Sequence, residues 1–323
     1  MTTVSTTIHD IYKARPHVYA HLRPTPLYQY QGLSELVGAR VFLKHENHQP
    51  VGAFKVRGGL NLVANLSKQQ KQGGLFTAST GNHGQSIAFA ARAHGVKATI
   101  AVPEGANPGK VAAMEGLGAE VVFHGPDFDS ARLWIEQVAG EREGTFVGPT
   151  DELLIHGVGT YGLEILEELP DVDVIIVPVG AGSGVCGTAV VAKSLNPKIK
   201  VIGVQSAQAP TQQQSWLQGK PVEAGMKTIA EGLATRISFA NTQAIMAKYL
   251  DDFVLVEDTA LEEAVRLLLR HSHNLVEEAG AASMAAALSL SQSLQGKKIA
   301  LVVSGGNISP ERLTSILGSQ AAG

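Results

Sequence analysis

The organisation of this chain centres on eight consecutive residues, Gly52-Ala53-Phe54-Lys55-Val56-Arg57-Gly58-Gly59. A lysine stands between glycines, behind an aromatic residue and ahead of a pattern that predicts a helix over 61–66. Burial disfavours the charged form of an amine, so a buried lysine is more often the free nucleophile that attacks an aldehyde. Taken alone, the segment also fits a surface lysine at a helix start. The remaining motifs decide between these two interpretations.

The composition is that of a soluble globular chain of about two domains, with 323 residues, 44% hydrophobic and 17% charged. A net charge of -3 without a basic run gives no case for nucleic acid. The single cysteine, Cys186, excludes an internal disulfide framework and a zinc site of several thiolates. The first twenty residues contain no apolar signal segment, and no later stretch resembles a membrane span, so we expect a cytoplasmic protein.

Apolar segments of strand length alternate with helical patterns between Gly74 and Glu141. This alternation indicates a parallel sheet covered by helices on both faces, in a small domain of its own. The predicted strands are 74–78, 96–102 and 120–124, and the predicted helices are 86–94, 108–117 and 129–141.

The flanking regions have the same α/β character. We expect a helix or two over 8–22, interrupted near Pro16, and a polar loop over 211–225. The other predicted strands are 39–44, 173–179, 200–204, 253–256 and 298–303, with helices at 188–194 and 258–273 and another opening at Glu277.

The turn from Ser79 to Gln85 is the second chemical feature. Small hydroxyl residues, a glycine and an asparagine lie between a strand end and a helix start, where free N–H groups and the helix dipole favour an anion. Such a turn could hold a substrate carboxylate. An ordinary helix cap has the same composition.

A glycine-rich loop from Gly180 to Gly187 follows a buried strand and is the third feature. Glycines let the backbone wrap an anion, and the following helix adds N–H groups, so the loop is a candidate phosphate cradle. It contains a GxGxxG match. A dinucleotide site would need an acidic residue at the end of the next strand, where the chain has Gln205. A phosphate without a dinucleotide is therefore the favoured ligand.

Three candidate loops follow strands that end at Ala78, Val179 and Val303. Ligands of open α/β sheets bind at the carboxyl ends of the strands, so these loops can converge on one crevice.

These motifs, together with Ser304–Asn307, occur in the order found in pyridoxal-phosphate enzymes of the tryptophan synthase β fold (fold type II). The chain most resembles the serine/threonine dehydratases and serine racemases, over nearly its whole length. The resemblance implies two domains, each an open, mainly parallel sheet flanked by helices. The large domain would comprise residues 1–72 and 150–323, and a small mobile domain, residues 73–149, would be inserted in it.

The resemblance also implies roles for particular residues. Lys55 would form the Schiff base with pyridoxal phosphate, Asn82 would contact the ring hydroxyl, and Ser304 would meet the ring nitrogen. The other residues implied to contact the cofactor are Phe54, Gly180, Ala181, Gly182, Ser183, Gly184 and Glu277, and those implied to hold the substrate are Ser79, Thr80, Gly81 and His83.

A serine opposite the ring nitrogen makes the ring a milder electron sink than an aspartate would, which favours elimination. We therefore expect a catabolic dehydratase (ammonia-lyase), without a regulatory domain, that converts L-threonine, L-serine or a similar 3-hydroxy amino acid to a 2-oxo acid and ammonia. 3-Hydroxyaspartate, a 3-aryl-serine, racemisation, or a non-catalytic protein that binds a phosphorylated ligand remain alternatives. We expect a homodimer or homotetramer.

Five positions depart from the family pattern or leave a role open. Thr80 lies where serine racemases carry a catalytic serine, although helix capping would also explain it. His156 could line the pocket and recognise a second carboxylate, or it could only fill space. Gln205 replaces a glutamate that helps hold a cation in racemases. His45 and His48 lack further ligands nearby, so we predict no metal site.

Overall fold

The computed structural model describes residues 5–319, which form two sheets flanked by helices. The predicted α/β class with mainly parallel sheets is confirmed. The ten strands, in chain order, are β1 (Leu27–Gln29), β2 (Arg40–His45), β3 (Leu75–Ala78), β4 (Ala98–Val102), β5 (Glu120–Phe123), β6 (Thr145–Phe146), β7 (Val174–Pro178), β8 (Lys200–Ser206), β9 (Asp252–Val256) and β10 (Lys298–Val303).

The helices cover both faces of the sheets. Their bounds are α1 (Ile8–Tyr19), α2 (Gln31–Val37), α3 (Lys55–Asn65), α4 (Lys68–Gly73), α5 (Asn82–Ala93), α6 (Pro108–Gly116), α7 (Phe128–Glu141), α8 (Glu152–Val158), α9 (Thr160–Glu168), α10 (Ser183–Leu195), α11 (Thr211–Gln218), α12 (Ala240–Tyr249), α13 (Asp258–Ser272), α14 (Glu278–Ser289), α15 (Ser291–Leu294) and α16 (Pro310–Gly318). No helix within residues 5–319 is long and apolar enough to cross a membrane.

The larger sheet has six strands in the order β1-β2-β10-β7-β8-β9. Only the edge strand β1 is antiparallel to its neighbour, and the other pairs are parallel. Strands β7 and β10 are buried along their whole length, as expected for central strands with helices on both faces. Their carboxyl ends lead directly into the glycine loop and the Ser304 loop.

The smaller sheet has four parallel strands in the order β5-β4-β3-β6. The sequence pattern did not predict β6, which has only two residues. One core of this sheet includes Leu75 and Ile100, but also Val56 and Leu60 of α3. That core therefore crosses the predicted boundary at residue 72, and the division into domains stays a prediction.

Three functional helices begin earlier than the sequence pattern predicts, and one of them is α3, which begins at Lys55 rather than Asn61. Helix α5 begins at Asn82 rather than Ser86, because the Ser79 hydroxyl accepts the Gly84 N–H at 2.9 Å and so caps its first turn. Helix α10 begins at Ser183 rather than Thr188, directly after Gly182 with a φ of +104°. Polar segments whose composition is typical of loops therefore form the first turns of α5 and α10.

Two other predictions were wrong. Helix α1 continues through Pro16 to Tyr19, since a proline one turn from the end removes only one N–H donor from the helix. Helix α11 lies in the segment predicted as a polar loop. The Gln205 side-chain oxygen accepts the N–H groups of Gln212 (3.1 Å) and Gln213 (3.3 Å), which caps this helix from the end of the preceding strand, β8.

Candidate active site

Lys55 is the first residue of α3, in a tightly packed setting that explains the glycines after it. A Cβ on Gly59 would lie 2.7 Å from the backbone oxygen of Ser86, and a Cβ on Gly58 2.9 Å from that of Leu154. The glycines thus let α3 pack closely between α5 and α8. The Ser86 hydroxyl also donates to the Lys55 carbonyl at 2.6 Å, which ties the lysine to α5.

The Lys55 side chain is half-buried at the start of α3. Burial lowers its pKa to about 8. Nζ donates to the Ser183 hydroxyl at 3.3 Å, and it forms no ion pair with any carboxylate of residues 5–319. A substantial fraction of this amine is therefore uncharged at mildly alkaline pH, as attack on an aldehyde requires.

The loop from Gly180 to Gly184 has no room for larger side chains. A Cβ on Gly180 would overlap the Gly232 carbonyl, and one on Gly184 would lie 3.1 Å from the Tyr161 hydroxyl. The positive φ of Gly182 also favours glycine. Thr242 Oγ1 donates to the Ala181 carbonyl at 2.9 Å and supports the loop from behind.

The same loop leads into the first turn of α10, whose first N–H groups have no partner within the helix. Ser183 adds a hydroxyl at this position, within hydrogen-bonding distance of Lys55. Free N–H groups, the helix dipole, a hydroxyl and an amine with a lowered pKa together fit a ligand that carries both a phosphate and an aldehyde. The residues present therefore fit pyridoxal phosphate.

The serine of the turn after β3 accepts hydrogen bonds from backbone N–H groups of the same turn. Ser79 Oγ accepts the N–H groups of Gly81 (3.2 Å) and Gly84 (2.9 Å). The hydroxyl of Thr80 has no hydrogen-bond partner among residues 5–319, and a Cβ on Gly81 would meet nothing within 4 Å. The turn is thus open on the side of Thr80 and Gly81, where the first N–H groups of α5 can meet an anion.

Asn82 links three of the predicted segments. Its amide Nδ2 donates to Glu277 Oε1 at 2.7 Å, and its Oδ1 accepts from Asn307 Nδ2 at 2.7 Å. Burial raises the pKa of Glu277 to about 7, against the opposing effect of the Asn82 hydrogen bond. Asn307 also donates to the Val51 carbonyl at 2.8 Å, beside the lysine segment.

His83 is uncharged at neutral pH, because burial and the nearby charge of Lys55 lower its pKa to about 4. One ring nitrogen, Nε2, lies 3.3 Å from the Val147 carbonyl. A neutral imidazole bonded in this way orients its other nitrogen without adding charge near Lys55.

The loop after β10 is joined to the lysine segment by backbone hydrogen bonds. Phe54 N–H donates to the Ser304 carbonyl at 3.1 Å, and Gly306 N–H donates to the Gly52 carbonyl at 2.9 Å. The Ser304 hydroxyl has only a long contact of 3.5 Å to the Ala279 carbonyl. It therefore remains able to bond to a ligand.

The structure does not bring His156 to the other residues. Its Nε2 lies 3.3 Å from Thr6 Oγ1, and Asp10 of α1 is among its charged neighbours. The recognition of a second carboxylate by His156, and with it the specific argument for 3-hydroxyaspartate, loses its support. His156 joins α8 to the segment that precedes and begins α1.

Two further positions have structural explanations. Cys186 is buried, its pKa is raised by burial, and its Sγ contacts the Thr242 carbonyl at 3.4 Å, so it packs as a small side chain. Gln205 is buried, and its amide donates to the Leu233 carbonyl at 3.2 Å. Residues 5–319 contain no group of three His, Cys, Asp or Glu side chains arranged to hold a metal ion.

Two residues near the site carry little local signal in the sequence. Asn307 was not predicted as a site residue, although its segment was; its only signal was its place directly after two glycines that follow a buried strand. Arg57 lies two residues after Lys55 and is fully buried. No local pattern indicates that this arginine has a partner more than a hundred residues away.

Comparisons with known proteins agree with this geometry. The profile of the family described as "Pyridoxal-phosphate dependent enzyme" matches residues 18–305. An L-threonine ammonia-lyase of Thermotoga maritima is 38% identical over 313 residues, which is 96% of this chain and 78% of that protein. A catabolic L-threonine dehydratase of Staphylococcus aureus is 37% identical over 314 residues, 95% of this chain and 91% of that one.

Solved structures support the same assignment. The structure of maize serine racemase superimposes with a TM-score of 0.92 at 31% identity, and covers 97% of each chain. Since the family profile spans most of this sequence, and relatives above 30% identity cover nearly all of it, this chain belongs to the family of pyridoxal-phosphate dependent enzymes.

Proposed function

We propose that this enzyme is a dehydratase that converts a 3-hydroxy amino acid, L-threonine or L-serine, to a 2-oxo acid and ammonia by α,β-elimination. The two curated relatives carry the names of threonine ammonia-lyase and threonine dehydratase. The observation that carries the proposal is the Lys55 amine, which has a pKa of about 8 and lies beside the hydroxyl that opens α10.

When bound, pyridoxal phosphate supplies the electron sink that makes the Cα–H bond of an amino acid acidic. Ser183 and the first N–H groups of α10 would hold its phosphate, and Asn82 would contact its ring hydroxyl. Ser304 would bond to the ring nitrogen. A serine hydroxyl stabilises positive charge there less than a carboxylate would, which favours departure of a β-hydroxyl soon after proton loss.

Lys55 is the proposed base that removes the Cα proton. With a pKa of about 8, roughly a tenth of the amine is uncharged at pH 7, far more than for a lysine of ordinary pKa. The turn from Thr80 to His83 would hold the substrate carboxylate through the N–H groups that begin α5. Because His83 is neutral and its single N–H faces the Val147 carbonyl, it borders this turn without adding positive charge that would lower the pKa of Lys55 further.

The test is to supply the purified enzyme, loaded with pyridoxal phosphate, with L-threonine, L-serine and L-threo-3-hydroxyaspartate in turn. We expect 2-oxo acid and ammonia in equal amounts from L-threonine or L-serine, and little from hydroxyaspartate. A bound cofactor with no oxo acid from any of the three would contradict the proposal.

Racemisation is a second candidate, favoured by one observation. The Thr80 hydroxyl has no hydrogen-bond partner among the described residues, so it is free to exchange a proton with a ligand. The expected discriminator is the Thr80→Ala variant with L-serine. Loss of D-serine formation with oxo acid retained would assign Thr80 that role, whereas the absence of D-serine from the unaltered enzyme would exclude racemisation.

We also propose that the chain forms a homodimer or homotetramer. Large apolar side chains remain exposed in the single chain, among them Tyr28, Leu36 and Leu275. Light scattering of the purified protein should give two or four times the mass of 33.9 kDa, and a monomer would contradict this.

A further inference from the structure

A network of four charged side chains lies buried directly behind the lysine segment. Arg57 contacts two glutamates, and Lys44 contacts one of them. All four side chains are at most 2% exposed. The network members are Lys44 and Glu46 of the β2 region, Arg57 of α3 and Glu164 of α9.

The geometry of Arg57 is that of a guanidinium held on two edges. Nε and Nη2 donate to the two oxygens of Glu46 at 2.7 and 2.8 Å. Nη1 and Nη2 donate to the two oxygens of Glu164 at 2.6 and 2.9 Å. Burial alone would lower the pKa of Arg57, but the two carboxylates raise it above its ordinary value.

The charges in the network balance, two positive against two negative, and both carboxylates accept further hydrogen bonds. Thr25 Oγ1 donates to Glu46 at 2.6 Å, and Tyr19 Oη donates to Glu164 at 2.7 Å. Buried ion networks are often no more stabilising than apolar residues of the same volume, so stability alone does not require this one. What a guanidinium with several fixed partners does provide is a defined orientation of the elements that it joins.

Two of the elements that this network joins, α3 and α9, border the cofactor site. Arg57 lies two residues after Lys55 on α3, and its Nη1 also donates to Thr160 Oγ1 at 3.1 Å on α9. The next residue of α9, Tyr161, donates to the Gly184 carbonyl at 3.0 Å in the phosphate loop. Its ring packs edge-on against Phe54. Helix α9 therefore contacts the lysine segment on one side and the phosphate loop on the other.

We propose that Arg57, clamped by Glu46 and Glu164, is a positioning residue that fixes α3 against α9. It thereby sets the distance between the Lys55 amine and the phosphate loop. Glu164 holds α9 to Arg57 and thus to the lysine segment, and Tyr161 holds α9 to the glycine loop that would bind the phosphate. The inference rests on Lys55 as the cofactor lysine and on the glycine loop as the phosphate site, but not on which substrate is turned over.

The experiment measures cofactor binding by the apoprotein, with pyridoxal phosphate and with pyridoxal, which lacks the phosphate. The variants are Glu164→Gln and Tyr161→Phe. The matched control is Glu167→Gln, one turn further along the same helix, where the carboxylate forms an exposed pair with Arg15. The pKa of Lys55 is measured in parallel from the pH dependence of its acylation in the apoprotein, located by peptide mapping.

We expect Glu164→Gln to weaken the binding of both ligands about tenfold, the effect of losing one charged hydrogen bond, and to shift the pKa of Lys55. Tyr161→Phe should weaken pyridoxal phosphate but leave pyridoxal unchanged. Glu167→Gln should change neither the binding of the two ligands nor the pKa.

A folded Glu164→Gln protein with unaltered binding and an unaltered pKa of Lys55 would overturn the proposal, whatever its thermal stability. If that variant does not fold, Thr160→Val removes only a hydroxyl from the network and must still weaken both ligands. Unchanged binding of both ligands by Thr160→Val would also overturn the proposal. If Lys55→Ala retains the absorption of bound cofactor, the site assignment fails, which is a different result from either of these.

Discussion

Lys55 and Arg57 lie two residues apart on one helix, and their surroundings have opposite effects on charge. Arg57 has two carboxylates within hydrogen-bonding distance, which hold it charged although it is fully buried. Lys55 has a serine hydroxyl as its hydrogen-bond partner instead, and burial lowers its pKa to about 8. The difference shows that a buried cation needs an acid only where its charge is to be kept, and the chain omits one where a free amine is needed.

The largest expected effect comes from removing the amine. Lys55→Ala should abolish the absorption band of bound cofactor and lower the rate of 2-oxo acid formation by about 10³-fold or more, because the nucleophile and the base are lost together. Lys68→Ala is the matched control, since Lys68 is also the first residue of a helix but is exposed. An unchanged spectrum in Lys55→Ala would refute its assignment.

Removing the buried cation Arg57 should lower the free energy of unfolding more than the other substitutions do. Arg57→Met leaves two buried carboxylates with only Lys44 to balance them, and should lower the free energy of unfolding by about 3–5 kcal/mol in urea titration. Arg15→Met removes an exposed pair and should cost about 1 kcal/mol or less. Equal losses of unfolding free energy in Arg57→Met and Arg15→Met would contradict the view that only the buried arginine depends strongly on its carboxylates.

The contrast can also be reversed by giving Lys55 an acid. Ser183→Asp places a carboxylate where the hydroxyl now contacts Nζ, and should raise the pKa of Lys55 by about 1–3 units. The pH dependence of Lys55 acylation in the apoprotein measures this shift, with Ser183→Asn as the uncharged control. A pKa that stays near 8 would show that something other than the missing acid sets it.

The smallest effect concerns Glu277, whose pKa is raised to about 7 by burial. The folded state holds this proton between pH 4.5 and about 7, whereas the unfolded state has lost it, so this contribution to stability falls as the pH rises through that range. Compared with Glu277→Gln, the unaltered apoprotein should lose about 1–3 kcal/mol of unfolding free energy between pH 4.5 and 7. A difference that is constant with pH would contradict the raised pKa.

The parts of the site that could be predicted from sequence are those that follow from the order of strands and loops along the chain. Parallel strands end at one edge of a sheet, so the loops after Ala78, Val179 and Val303 could be expected to meet from their positions in the chain alone. The turn from Ser79 to Gln85 and the glycine loop were identified in this way, whereas the Lys55 segment was identified by its own composition. The roles of Asn82 and Ser183 came from the family resemblance. Contacts among these segments are present in the structure.

The rest depends on particular side-chain contacts, most of them between residues far apart in sequence. Gln205 caps α11 from the end of the preceding strand, so a stretch with no apolar periodicity is helical. Glu46 and Glu164 meet on Arg57 although they are separated by more than a hundred positions. His156 has a plausible position in sequence, but the packing of α8 on α1 turns it toward Thr6. One sequence contains no signal for such pairs.

The reactive lysine can be identified by reducing the cofactor-loaded protein with borohydride, digesting it and mapping the lysine that carries the phosphopyridoxyl group. We predict that the group is on the peptide containing Lys55 and absent from peptides containing Lys44 or Lys110. Attachment to any other lysine, or no attachment in protein that has bound the cofactor, would contradict the assignment of the α3 amine as the reactive one.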